Sequence, residues 1–528
     1  MAILTEDHAG TRGGEIALID ESGETSWATL DARVNRLVNG LRALGLNRGD
    51  TIVVIAGNGR PWFEIALACA HGGWTYVPAN WHFVADELAY LMEDAGAALV
   101  FADGRFAATA AAALTDPRGQ GVRTVVGIAD ADGGGVGALA DDRRFVAYES
   151  LIAGASADEP ADQRLGGPMF YTSGTTGRPK GVRSGLASGF DVGPEIMHLA
   201  AAGVSQMIAP GGRTLLCGPF YHSAQWAFNF LPLVGGCSVV MRHKFDAAET
   251  LELIDAHGVT NIHLVPTQMK RLLDVPPQAR ARFSGASLIS VWHGAAPCPP
   301  GVKRDMIAWW GPKISEYYGS TEGSIISAIT AEDWLTVGGS VGRPFPTVEV
   351  IVVDDDGRRV PDGAEGALYF RNQSGADFVY HNDAGKTAAA HLEPGVFTTG
   401  DVGRIDEDGY LWLTDRKIDM IISGGVNIYP AEIEGVLHLH PSVADVAVIG
   451  VPDEEFGENV KGIVQLREGV AGDAAMGAAL RAHCQEKLAR YKVPKTFDFV
   501  ETIPRSGAGK ILKAPLRAPY WAGRDRKI

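Results

Sequence analysis

Across the first 330 residues, short apolar runs of strand length alternate with stretches long enough for helices. Few architectures accept that pattern. Residues 51–56, 97–101, 124–126, 169–171, 214–217, 238–241, 262–265 and 288–291 read as strands. Leu30, Val34, Leu37, Val38, Leu41 and Leu44 recur at helical spacing. A strand followed by a helix-length crossover favours a parallel neighbour, so the alternation predicts an α/β fold with mainly parallel sheets. Residues 129–167, rich in Ala, Gly and Asp, read as a surface excursion. From residue 348 the pattern changes to strand, Asp/Gly turn and strand, which predicts a β-rich subdomain. A last unit follows Arg416, with strands near 446–449 and 462–466. Its helix carries Met476, Leu480, Cys484 and Leu488 on one stripe.

Composition narrows the class. Hydrophobic residues make up 46% and charged residues 21%, enough apolar material for large cores. The formal charge of −16 argues against general nucleic-acid binding, which needs a cationic surface. The charge is uneven: residues 504–528 hold seven Lys/Arg against one acid, Asp525. Five cysteines without a C-x-x-C pair argue against a disulfide scaffold and a thiolate zinc site. The N-terminus lacks a basic segment followed by an apolar one, and no run of about 18 apolar residues occurs. The expectation is a cytoplasmic protein, monomer or homodimer, without a membrane span; peripheral membrane contact stays open.

Residues 171–181, YTSGTTGRPKG, are the most informative stretch. They follow a strand. Gly174, Gly177 and Gly181 let the backbone approach a ligand closely. Thr172, Ser173, Thr175 and Thr176 add hydroxyls, and Lys180 adds a cation. Successive N–H groups in such a loop form a nest for anions such as polyphosphate. The spacing differs from a Walker A loop. Composition alone leaves a plain surface turn as the alternative reading.

The string resembles the phosphate loop of the adenylate-forming superfamily, which includes acyl-CoA synthetases, luciferases and peptide-synthetase adenylation domains. Six further segments match in order: 218–222 (GPFYH), 294–297 (GAAP), 317–322 (YYGSTE), 398–401 (TTGD), 415–434 (DRKIDMIISGGVNIYPAEIE) and 504–510 (PRSGAGK). The resemblance implies a large N-terminal domain, 1–415, with two mainly parallel sheets of αβαβα type plus the β-rich subdomain. A hinge at 416–419 and a small mobile α+β domain at 420–528 follow. It implies ATP, Mg²⁺ and coenzyme A as cofactors and a carboxylic acid as substrate. The 172–180 loop would hold the β- and γ-phosphates. Thr321 would bond the α-phosphate, and Thr175 and Glu322 would hold Mg²⁺. Gly294, Ala295, Ala296, Glu316, Tyr317, Tyr318, Gly319 and Ser320 would surround the nucleotide, with Tyr318 on the adenine face. Asp401 would accept the ribose hydroxyls and Arg416 would contact ribose or phosphate. Lys510 is the implied catalytic cation, and His222 the group beside the carboxylate. The loop of Ser423, Gly424 and Gly425 would line the thiol path after domain rotation. Ile418 stands where the family usually has a charged pivot, so the hinge is assigned to the region only.

Two decoys compete. Residues 338–342, GGSVG, fit G-x-S-x-G without a strand-to-helix elbow. Residues 135–140 mimic a dinucleotide fingerprint without a preceding strand. The stretch 219–226 lacks the acid that peptide-synthetase domains use for an amino group. Trp226, Phe228, His293 and Gly319 instead suit a fatty, aryl or alicyclic, steroid-like acid. The resemblance therefore implies an acid–CoA ligase. An acyl-AMP ligase loading a carrier protein and a non-catalytic nucleotide-binding protein are the alternatives.

Overall fold

The computed structural model describes residues 4–129, 134–172, 179–184, 201, 203–204, 207–296, 298–354, 356–416, 419–423, 426–453, 456–488, 490–505 and 511–522. Two large sheets organise the N-terminal part. In the first, Phe145–Ala147, Thr124–Ile128, Ala97–Asp103, Thr51–Ile55, Thr75–Pro78 and Gly167–Pro168 lie side by side, all parallel. In the second, Ser290–His293, Asn261–Leu264, Arg213–Leu216, Ser238–Met241 and Ile16–Asp20 form a parallel centre. Ile314–Ser320 continues it in parallel, and Ser324–Ile329 turns back antiparallel.

Strand alternation then generates the layers. Ile52 and Val54 face a core between the two sheets, while Val53 and Ile55 face the outer side. Among the described residues, the helices Trp27–Ala43, Arg60–Gly72 and Ser223–Val234 contribute most to the central core, joined by Tyr148–Ala153. Leu30, Val34, Leu37, Val38 and Leu41 bury the stripe expected of the first helix, whose N-cap Ser26 accepts from the Thr29 amide. Outer helices cover both remaining sheet faces. The order is helix, sheet, helix, sheet, helix, as the family resemblance implies.

The stretch 129–167 departs from the expected surface excursion. Phe145–Ala147 extends the first parallel sheet, and Leu139, Tyr148 and Ile152 are buried. Alanine and glycine obscured three anchoring side chains that reach the core.

The β-rich region is an antiparallel sheet built from Val348–Val353, Gly366–Asn372, His391–Glu393, Val396–Phe397, Asp401–Ile405 and Leu411–Arg416. The C-terminal domain is separate in its packing. Val446 and Val448 enter one core and Ala447 and Ile449 the other, and among the described residues both cores draw on residues beyond 420. Leu480 and Cys484 are buried on the helix Ala474–Gln485. Among the described residues, no helix is long and apolar enough to cross a membrane.

Both decoys resolve as structure. The buried Ser340 hydroxyl donates to the Leu411 carbonyl at 2.8 Å and accepts the Gly342 amide at 3.0 Å. A Cβ on Gly342 would meet the Ala328 carbonyl oxygen at 1.9 Å, so the glycines serve a crowded turn. Gly137–Ala140 is a single helical turn.

Candidate active site

Ligands in open α/β sheets gather at the carboxyl ends of the strands. Here those ends carry the Gly294–Ala296 turn and the 317–322 hairpin. Gly294 packs against Tyr317: a Cβ there would lie 2.6 Å from its ring and 2.7 Å from its carbonyl oxygen. Ala295 adopts φ +66°, a left-handed conformation that turns the backbone over as a bare shelf. In the next strand, the pairing register shifts between Tyr318 and Gly319. Gly319 admits no side chain, since a Cβ would sit 2.1 Å from the Ser324 carbonyl. The Ser320 hydroxyl accepts the Gly323 amide and tightens the hairpin.

Strand periodicity splits the tyrosine pair. Tyr318 faces the β-rich region, where its hydroxyl donates to Asp401 Oδ2 at 2.6 Å. The Thr399 hydroxyl donates to the same oxygen at 2.6 Å, and Asp401 is buried. Tyr317 faces the opposite way, into the central core. Its hydroxyl lies 3.1 Å from His263 Nε2, and its ring packs on Phe228 at 5.3 Å. Phe228 also stacks on His263 at 4.7 Å, and Trp292 lies beside it. Gln225 Nε2 meets His263 Nδ1 at 2.9 Å. Burial lowers the His263 pKa to about 3, so the ring is neutral and joins an aromatic wall.

Glu316 also points away from the nucleotide shelf. It forms a 2.6 Å ion pair with Lys303 on the helix Pro300–Trp310, and His293 Nε2 lies 3.8 Å from the same carboxylate oxygen. Burial raises the Glu316 carboxyl pKa and lowers that of the Lys303 ammonium, while their attraction opposes both shifts. His293 is pushed well down by burial and by Lys303, which keeps it neutral.

One contact joins the two sides. The Thr321 hydroxyl lies 2.9 Å from the Ser223 hydroxyl, at the first residue of the helix that carries Trp226 and Phe228. His222 stands at the N-cap position of that helix, and its ring packs on Tyr221 at 4.4 Å. The GPFYH and YYGSTE segments, about 100 residues apart in sequence, are therefore neighbours.

The glycine loop is closed by strand pairing. Thr172 pairs with Lys180 in an antiparallel register, and Val182 pairs with Tyr380 on the other side. Tyr380 donates its hydroxyl to Glu322 Oε1 at 3.1 Å. That bond brings the strand that flanks the glycine loop and the expected metal carboxylate to neighbouring positions. Arg416 pairs in backbone register with Asp401. Ser423 ends a strand of the C-terminal sheet. Ser173, Gly174, Thr175, Thr176, Gly177, Gly424, Gly425, Lys510 and the Arg416 side chain lie outside the description.

Sequence reasoning did not find Ser223, Gln225, His263, Lys303 or Tyr380. Each belongs to a pairing between distant segments, and none carries a local signal.

Comparison with known proteins gives the class first: both parts of the chain match those of adenylate-forming ligases that release AMP. Residues 5–377 match the AMP-binding enzyme family and residues 432–510 match the AMP-binding enzyme C-terminal domain. The chain belongs to the AMP-binding enzyme family, in its acyl-CoA synthetase branch. It is 33% identical to an indoleacetate–CoA ligase of Aromatoleum aromaticum, over 97% of this chain and 96% of that protein. It is 30% identical to the fatty acid–[acyl-carrier-protein] ligase ScoC of Streptomyces coeruleorubidus, over 99% and 97% respectively. The o-succinylbenzoate CoA synthetase MenE of Bacillus subtilis, solved with its acyl-adenylate intermediate, superposes with a TM-score of 0.81 at 25% identity. That match covers 100% of this chain and 99% of the other.

Proposed function

We propose that this chain activates a hydrophobic carboxylic acid with ATP and transfers the acyl group to coenzyme A. The observation that carries the reading is the Ser223–Thr321 contact, where an aromatic wall meets a polar shelf. In the first half-reaction an oxygen of the substrate carboxylate attacks the α-phosphorus. The bond from that phosphorus to the bridging oxygen breaks, and pyrophosphate leaves. The obstacle is an anion approaching an anion, so placed donors and cations must offset the repulsion. Thr321, beside the wall, would donate to an α-phosphate oxygen. Asp401 would accept from the ribose, with Tyr318 and Thr399 orienting its carboxylate. In the second half the thiol, losing its proton, attacks the acyl carbonyl carbon, and the carbon–oxygen bond to AMP breaks.

A hard cation fits the donor set. Glu322 is partly buried and bonded to Tyr380, whose strand pairs with Lys180–Ser184, and would hold Mg²⁺ with Thr175. When bound, the ion neutralises charge on phosphate oxygens. Lys510 would stabilise the transition state of the first half. The division into residues 1–415, a hinge at 416–419 and residues 420–528 would let the small domain exchange Lys510 for the Ser423 loop. A cytoplasmic setting is consistent with the cysteines, which are unpaired among the described residues.

The wall of Trp226, Phe228 and Trp292 with neutral His263 favours an aryl, fatty or alicyclic acid over a charged one. The relative named as a carrier-protein ligase supports a second reading, in which the acceptor is a carrier-protein thiol. ATP–pyrophosphate exchange across a panel of acids, with and without CoA, tests both. Exchange plus a CoA thioester is expected. Exchange without a CoA thioester moves the assignment to the carrier protein, and no exchange with any acid rejects both.

A further inference from the structure

Beside Glu322 the fold brings up a cation that no sequence motif names. Lys386 lies on the short helix Ala384–Ala389, just after the strand that pairs with the glycine-loop strand. Its Nζ sits 4.2 Å from the centre of the Tyr380 ring. The hydroxyl of that tyrosine donates to Glu322 Oε1 at 3.1 Å. One tyrosine therefore spaces the ammonium from the carboxylate. Asp383 caps the helix by accepting the Lys386 amide at 2.9 Å, and its other oxygen pairs with Lys180 Nζ at 3.5 Å. The charges alternate: Lys180, Asp383, Lys386, Glu322.

That array is neutral in sum and partly open to water, with Lys180 and Asp383 22% and 29% exposed. Partial burial lowers the Lys386 pKa, while Glu322 and Asp383 oppose the shift and Lys180 adds to it. Four charges packed to zero net charge at the end of a phosphate-type loop form a site in which an entering anion can replace one of the carboxylates. Asp383 is the one to be replaced, because its link to Lys180 is a long, half-solvated ion pair of small strength.

We propose that Lys386 is a second ammonium for the β- and γ-phosphates of ATP, acting with Lys180, and that Asp383 occupies the phosphate position until nucleotide binds. The proposal rests on reading residues 172–180 as the phosphate loop. It assigns a ligand chemistry, a polyphosphate, and adds a counter-residue that sets its affinity.

Calorimetric titration of the full-length protein with MgATP, pyrophosphate and AMP tests this. AMP lacks the β- and γ-phosphates, so it reports on the fold of the remaining site. Lys386→Gln is expected to weaken ATP and pyrophosphate about tenfold and to leave AMP unchanged, with Lys386→Arg recovering most of the loss. Asp383→Asn keeps a capping side chain and removes the competing charge, so ATP binding should tighten about threefold. Unchanged ATP affinity in Lys386→Gln, or an equal loss for AMP, would overturn the proposal. Native protein that fails to bind ATP at all would remove the phosphate-loop reading, and this proposal with it.

Discussion

The proposed nucleotide shelf and the proposed acyl wall meet at Thr321 and Ser223, yet they are made of opposite materials. The shelf holds Glu322, Asp401 and Lys180 on hairpins and strand ends and Asp383 and Lys386 at a short helix, several of them partly exposed. The wall holds Phe228, His263, Trp292 and Tyr317 on helix and strand interiors, all buried. The contrast follows from solvation. Ions that must release one partner and take another work best where water lowers the cost of the exchange. A surface that distinguishes one apolar acid from another works through fixed shape, which needs close packing and neutral groups. Burial supplies both, and it also strips the histidines of their charge.

The largest expected effect falls on the first half-reaction alone. Lys510→Ala should lower adenylate formation roughly a thousandfold and thioester formation from supplied acyl-adenylate less than about tenfold. Equal loss in the two half-reactions, followed by pyrophosphate exchange and thioester release, would erase the distinction between a charge-driven first step and the rest.

Beneath the two regions lies the Glu316–Lys303 pair. Lys303→Met leaves a buried carboxylate unmatched and should cost about 3–5 kcal/mol by urea denaturation. Adding Glu316→Gln should return most of that. If the single variant loses no stability, the pair is not the support that its 2.6 Å geometry indicates.

Phe228→Leu tests the wall. It removes the ring stacked on His263 and should change kcat/KM for the acid about tenfold while the KM for ATP stays within about twofold. Equal changes in both constants would show the two regions to be one.

Titration sharpens the contrast further. The His71 pKa is lowered by burial to about 4 and that of His263 to about 3, from 6.5. The unfolded chain therefore takes protons at pH values where the folded chain refuses them. Stability should fall from about pH 6.5 downward, with the His71 share complete near pH 4, by roughly 3 kcal/mol. A His71→Leu variant should show a flatter profile of melting temperature against pH. The smallest effect concerns the serine decoy: Ser340→Ala should cost about 1 kcal/mol and leave turnover unchanged.

Much of this was legible because it is local. The 171–181 string, the TTGD before Asp401 and the hairpin at 317–322 carry their chemistry in consecutive residues. The parallel layers were legible because strands buried on both faces are continuous apolar runs, as in 51–55 and 97–103. The stretch 129–167 was misread because a strand of three residues among alanines and glycines leaves no period to detect. Tyr317 and Glu316 adjoin Tyr318 in sequence, and the motif alone does not separate them from it. Strand geometry and a neighbouring helix instead turn Tyr317 toward His263 and Glu316 toward Lys303.

The sequence by itself determined the alternation of strands and helices, and its ordered motifs carried the family resemblance that implies the order of the layers. Both are written in short segments, which express periodicity and motif alone. Only the tertiary structure decided which side chains face each other. Tyr380 reaches Glu322, Lys180 meets Asp383, and Ser223 meets Thr321 because strands and helices distant in sequence pair at those points. A contact between segments is set by register and packing, and neither segment carries it alone.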